Sequence, residues 1–285
     1  MKDARFGLLI VTSALSLVSC SKGPTPGEGL TALQASSLGS VLSSELQNLT
    51  AALTDTDFAA GFSAVNAQAT GKPECVTASP DPTADADGDG LPDTVTYTYN
   101  CQKSGPAGSN SVQGTLKFED TQTAPAQGAK VTATSLTFSQ KDASGNNVLY
   151  ESRNGTRTAS GTTTAISVGN DMTVVRQVSS QTAGTLKNKL QVAFQATAGT
   201  ITAKSLPAGT LEVSGNASWT QGDLNTDLNV TTVNPLQFDP GCASALKIVG
   251  GQLKATLTGS GPKGYLNVTF GACGTEPSIK FFAVP

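Results

Sequence analysis

From Val95 to the C-terminus, apolar residues recur at every second position. Val112, Gly114, Leu116 and Phe118 form one such run, and Leu190, Val192, Phe194 and Ala196 form another. Leu211, Val213, Gly215, Ala217 and Trp219 repeat the pattern, as do Leu253, Ala255 and Leu257, then Leu266, Val268 and Phe270. Successive side chains of a strand point to opposite faces, so a period of two predicts strands buried on one face. Turn-forming residues lie between the runs: Ser144-Gly145-Asn146, Asn154-Gly155, Gly169-Asn170-Asp171, Pro207-Ala208-Gly209, Gly222-Asp223, Gly250-Gly251 and Gly261-Pro262-Lys263-Gly264. Short links join antiparallel neighbours, and the spacing predicts a meander of about ten strands.

The N-terminal third has a different period. Leu38, Leu42, Leu46, Leu49 and Leu53 recur every three or four residues, with Val41 and Ala52 widening the stripe. That spacing predicts an amphipathic helix ending near Thr54 or Asp55, with a short second helix carrying Phe58 and Phe62. Its polar face holds Ser, Glu, Gln and Asn rather than Lys and Arg, which suits packing on the sheet better than lying on a membrane. The predicted fold is mainly β with an N-terminal helix. A large antiparallel meander sheet, either a sandwich or a curved half-barrel, has helix 30–54 packed on it. Residues 67–94, with prolines at 73, 80, 82 and 92, read as an irregular loop. Residues 95–285 form the antiparallel β domain, continuous with 30–94. The last segment, Ile279 to Val284, is apolar on both faces, as in a central strand or one capped by the helix.

Composition narrows the chemistry. The chain of 285 residues contains no histidine, which removes Ser-His-Asp and Cys-His catalysis and His-ligated metals. Net charge is −3, and residues 1–19 carry Lys2, Arg5 and Asp3, so the remainder carries −4. An acidic chain without clustered Lys and Arg does not suit nucleic acid. Aromatic residues are only 5%, too few for the aromatic girdles of a transmembrane barrel.

The first twenty residues read MKDARFGLLIVTSALSLVSC. A basic start precedes an apolar stretch, Phe6 to Val18, that suits a signal-peptide core and is shorter than the ~20 residues a spanning helix needs. Leu17-Val18-Ser19-Cys20 resembles the lipobox of bacterial lipoproteins. The resemblance implies removal of residues 1–19 and attachment of lipid to the Cys20 thiol, making the membrane a partner through two or three acyl chains. The same resemblance implies, from Ser21 where an Asp would favour inner-membrane retention, a place at the outer membrane or cell surface. Residues 20–29 then serve as the lipidated cysteine and a Gly/Pro-rich tether.

Four cysteines remain: Cys75, Cys101, Cys242 and Cys273. An even number in an exported chain reads as a disulfide framework, and of the three possible pairings the local one joins Cys75 to Cys101 and Cys242 to Cys273. Between the first pair lies Asp85-Ala86-Asp87-Gly88-Asp89-Gly90-Leu91-Pro92-Asp93. This run resembles the calcium loops of EF-hands, dockerins and thrombospondin type 3 repeats. The resemblance assigns Ca2+ to Asp85, Asp87, Asp89, the Leu91 carbonyl and Asp93, with Gly90 permitting the turn; calcium takes six to eight such oxygens. Thr96 stands where an EF-hand has its bidentate Glu, and a strand follows in place of a helix, so the likeness covers the loop alone.

These features suggest a non-catalytic envelope protein that binds a partner or contributes to surface structure. A carrier of lipid or another apolar ligand, in a sheet covered by the helix, is a second reading. A glycan hydrolase using carboxylates such as Glu119 and Asp120 is a third.

Overall fold

The computed structural model describes residues 75–284 except 81–83, 87, 89–92, 122–126, 180–181, 202–205, 244–246 and 259–262, together with residues 30, 34–35, 37–39, 41–42 and 45. Twelve strands follow in chain order: β1 Val76–Ser79, β2 Thr94–Gly105, β3 Gly108–Asp120, β4 Gln127–Lys141, β5 Asn147–Gly161 and β6 Ala165–Val178. Then come β7 Gly184–Ala196, β8 Gly209–Gln221, β9 Leu224–Phe238, β10 Ile248–Thr258, β11 Gly264–Phe270 and β12 Ser278–Ala283. They form a single sheet in the order β1 to β12, every neighbouring pair antiparallel. Among the described residues all strands belong to one sheet, so the expected meander is present and a division into two sheets is not seen. Among the described residues β1 and β12 are not paired, and the sheet is open.

The period-two runs form strands because one face is buried. On β8, Leu211, Val213, Ala217 and Trp219 are buried, while Glu212, Ser214 and Asn216 between them are exposed. On β7 the inward residues include Leu186, Leu190, Val192 and Phe194, and the outward ones Lys187, Lys189, Gln191 and Gln195. Outward residues of β9 include Asn225, Asp227, Asn229 and Thr231. This outer surface is polar, the reverse of the apolar band by which a barrel faces lipid. The inward residues of all twelve strands, or residues partly buried against them, join one hydrophobic cluster. Gly184 makes room there for the largest member: a Cβ at this position would lie 2.1 Å from the Trp219 ring.

Several sequence expectations need correction. Residues 67–94 were expected to be irregular, yet β1 forms there, because Val76 buries its side chain and pairs with Tyr99 of β2. Asn154-Gly155 and Gly169-Asn170-Asp171 lie inside β5 and β6, not at turns. Gly155 has φ 144°, and an added Cβ would lie 2.2 Å from the Asp171 carbonyl, so the neighbouring backbone approaches where only glycine fits. Gly215 on β8 repeats the arrangement against the Lys189 carbonyl, with φ 136°. Gly250-Gly251 sits within β10 at register shifts against β9. The last apolar segment is an edge strand, β12, rather than a central one.

Helical conformation is described at Gln34, Ala35, Ser37, Leu38, Gly39, Val41, Leu42 and Glu45. Leu38, Val41 and Leu42 are buried in the same cluster as the strands, and Leu30 joins them. A Cβ on Gly39 would lie 2.7 Å from Ile279 of β12, so the backbone at that position runs against the edge strand. Leu46, Leu49, Ala52, Leu53, Phe58 and Phe62 lie outside the described residues, as do the signal segment, Cys20 and the tether.

Candidate functional site

Two disulfides brace the sheet. Cys75 bonds Cys101, joining the chain just before β1 to β2, and Cys242 bonds Cys273, joining the β9–β10 and β11–β12 connections. Both are the local pairings read from the sequence. Each closes a loop, with cysteines 26 and 31 positions apart, worth about 3.5 kcal/mol in the chain-entropy model.

The acidic loop leaves β1 and returns at β2. It closes through the Asp93 N–H, which donates to the Ala84 carbonyl at 2.9 Å. The Ala86 N–H donates to Asp93 Oδ1 at 2.9 Å, and the Gly88 N–H donates to Asp85 Oδ1 at 2.8 Å. These bonds fold Asp85 back over its own turn and tie Asp93 across the loop. Gly88, with φ 74°, takes the left-handed position of that turn. The Asp120 N–H, at the end of β3, donates to the Asp93 carbonyl at 3.0 Å and fixes the loop exit. The predicted donor set is wholly oxygen, the chemistry a hard cation such as calcium takes. Asp85 and Asp93 are the two of the five predicted ligands that the structure describes; Asp87, Asp89 and Leu91, with Gly90, lie outside the described residues. Among the described residues no three metal-ligating side chains come together.

Glu119 is engaged by two lysines. Lys117 Nζ lies 2.7 Å from its Oε1 and Lys130 Nζ 3.8 Å from its Oε2. The hydrogen bond from Lys117 holds the Glu119 carboxyl below its usual range, whereas a glycosidase general acid needs the opposite shift.

The second constellation is buried and was not anticipated. Arg153 and Arg157 of β5, Asn170 of β6 and Asn188 of β7 all point inward and are at most 4% exposed; Glu45, from the helical stretch, is 0% exposed. Arg153 Nη1 pairs with Glu45 Oε1 at 2.7 Å, and Arg153 Nε with Glu151 Oε1 at 2.7 Å. Arg176 Nε stands 3.9 Å from Glu151 Oε2. On the other side, Arg157 Nε donates to Asn170 Oδ1 at 3.2 Å, and Asn170 Nδ2 donates to Asn188 Oδ1. Asn188 Nδ2 then donates to Glu45 Oε2 at 3.5 Å. The two arms meet on the two oxygens of one carboxylate.

Their electrostatics differ. Burial works against the charge of Arg153, but the carboxylates of Glu151 and Glu45 outweigh it and hold its pKa above the ordinary value. For Arg157 burial dominates: attraction to Glu45 is offset by repulsion from Arg153, and its pKa falls to about 10.

The signal for this network was present in the spacing. Arg153, Gly155, Arg157 and Ala159 are two apart, and Asn170 interrupts the inward run Ile166, Val168, Met172 and Val174. Glu45 follows Val41 by four residues and Leu38 by seven, which puts it on the apolar stripe rather than the polar face to which the sequence reading assigned it. Lys187 and Lys189 are exposed strand charges, whereas Arg176 is partly buried beside Glu151. No family model, curated protein or solved structure matches the chain.

Proposed function

We propose that the protein is a lipid-anchored envelope protein, held at the outer membrane or cell surface through acyl chains on Cys20, whose β domain is a non-catalytic binding or structural module. The stretch with helical conformation at Gln34, Ala35, Ser37, Leu38, Gly39, Val41, Leu42 and Glu45 is read as lying in the hollow of a curved sheet. Gly39 and Glu45 are separated by about 9 Å of helix rise, yet they meet β12 and β5. Those strands are seven steps apart, roughly 34 Å along a flat sheet. One helix reaches both only if the sheet curls around it.

The observation that supports the reading is the burial of residues from this stretch in the same apolar cluster as the strands. Leu30, Leu38, Val41 and Leu42 join the sheet's core, and Glu45 closes the polar network. A side-chain-filled hollow favours a rigid module over a carrier of apolar cargo, and the salt-bridged Glu119 does not suit the general acid of a carboxylate hydrolase. Calcium in the loop 85–93, clasped by Cys75–Cys101, stiffens the end of the sheet where the chain enters. Absence of histidine agrees with a role in binding or holding.

Labelling with radioactive palmitate tests the anchor. The wild-type protein incorporates label and sediments with membranes, while Cys20→Ser does neither. A wild type that takes up no label overturns the reading.

A further inference from the structure

We propose that Arg153 and Asn188, supported by Arg157 and Asn170, form a carboxylate-binding site on the inward face of the sheet, which Glu45 fills and which also accepts the carboxylate of an aliphatic acid. The inference deepens the binding side of the function proposed above and rests on it only for context.

Three observations lead to it. First, both oxygens of Glu45 face polar groups of the sheet, Oε1 in an ion pair with Arg153 at 2.7 Å and Oε2 accepting from the Asn188 amide at 3.5 Å, so the sheet addresses both edges of the carboxylate. Second, those donors are set by partners that do not depend on Glu45. Glu151 holds the Arg153 Nε from the same strand, and the chain from Arg157 through Asn170 orients the Asn188 amide across β5, β6 and β7. A receptor whose donors are fixed in advance binds with little ordering cost. Third, Glu45 comes from a separate helical stretch, 108 positions before Arg153 and 143 before Asn188. It is held as a ligand would be, by tethering rather than by membership of the sheet, and a tethered group competes with a free one at its effective concentration.

The surroundings select the rest of the ligand. Val174 and Leu186 are in register beside Arg153, and Met172 and Ala217 beside Asn188; all are buried. An aliphatic tail would meet apolar side chains along these rows. A phosphate or a sugar acid would place further polar atoms against them, so an aliphatic monocarboxylate fits best, with the space freed by truncating Glu45 limiting how much of its chain is buried.

Removing the resident carboxylate tests this. Glu45→Ala should melt at a lower temperature than wild type. Sodium propionate should restore at least half of the loss, while equimolar propionamide or sodium chloride should not. Octanoate should act at lower concentration than propionate, by up to about fourfold for each methylene that is buried. Titrated directly by calorimetry, octanoate should bind Glu45→Ala at least tenfold more tightly than wild type, where Glu45 competes. Adding Arg153→Met to Glu45→Ala should abolish the rescue.

If Glu45→Ala does not fold alone, recovery of folded protein on refolding with propionate, but not with propionamide, supports the site equally. Glu45→Gln, which keeps the size and loses the charge, gives a folded background in which octanoate binding can be compared with wild type. Failure of carboxylates to raise the melting temperature or refolding yield of Glu45→Ala above the amide control, with no gain in octanoate binding by Glu45→Gln, overturns the proposal. Labelling of Cys20 is unaffected by any of these variants, so failure here and failure of the lipid-anchor reading are separate results.

Discussion

Leu38→Ala tests whether the N-terminal stretch belongs to the folded core. Leu38 is 0% exposed and sits in the same apolar cluster as the strands. The substitution removes three carbon atoms, worth about 0.8 kcal/mol each in lost transfer energy. The vacated space adds a cavity cost, and buried Leu→Ala changes of this kind total about 3–5 kcal/mol. For a domain of more than 200 residues, each kcal/mol moves the midpoint by about 2–4 °C. Melting followed by far-ultraviolet circular dichroism, on the mature protein in detergent at fixed calcium, should therefore show a fall of at least about 6 °C. Val233→Thr, at a half-exposed position on β9, is the matched control and should move the midpoint by about 2 °C or less. If Leu38→Ala shifts the midpoint no more than Val233→Thr, Leu38 is not a core residue and the account of a filled hollow fails.

Other consequences follow from the same structure. Calcium at ten times its dissociation constant should stabilise the protein by about 1.4 kcal/mol, raising the midpoint by about 3–6 °C over EDTA. Asp85→Asn with Asp93→Asn should erase that difference, and identical wild-type curves with and without calcium would refute the metal assignment. Replacing Cys242 and Cys273 by Ser should cost about 3.5 kcal/mol, read from urea midpoints. Arg153→Met should be more damaging than Arg157→Met, because only Arg153 neutralises both Glu45 and Glu151 directly; losing such a partner costs about 3–5 kcal/mol. Equal losses would contradict the electrostatic difference between the two arginines. The Glu119 carboxyl titrates lower in the folded state than in the unfolded one, so its stabilisation is complete above the unfolded carboxylate range and disappears as pH falls through the folded value. Carboxyl NMR titration should show this low midpoint, and Lys117→Met should move it upward.

The sheet was readable where burial is one-sided. On β3, β7, β8, β10 and β11 every inward position that the sequence marked as apolar falls on one face, because a strand of this kind has no other way to hide it. Both disulfides were readable from the even number and the spacing of the cysteines. The strands β5 and β6 were harder. Their inward positions carry Arg153, Gly155, Arg157 and Asn170, so the alternation is of burial and not of hydrophobicity. Asn154-Gly155 imitates a turn because the same glycine freedom that permits a turn also permits close backbone approach within a sheet. Glu45 escaped notice because a carboxylate is assigned to solvent by default, and only the partners brought by distant strands make its burial tolerable. In the acidic loop, the pattern of aspartates was legible from sequence. The roles of Gly88 in the turn and of Asp120 at the loop exit depend on backbone geometry that spacing does not encode.

Native mass spectrometry of the mature protein, extracted from membranes in mild detergent, addresses the central claim most directly. It reports the covalent state of Cys20 and any retained cargo in one measurement. The account predicts a chain beginning at Cys20 that carries covalent acyl groups, with no stoichiometric apolar cargo held inside the sheet. A chain with an unmodified N-terminus, or one that retains a full equivalent of diacyl lipid in its interior, would contradict it.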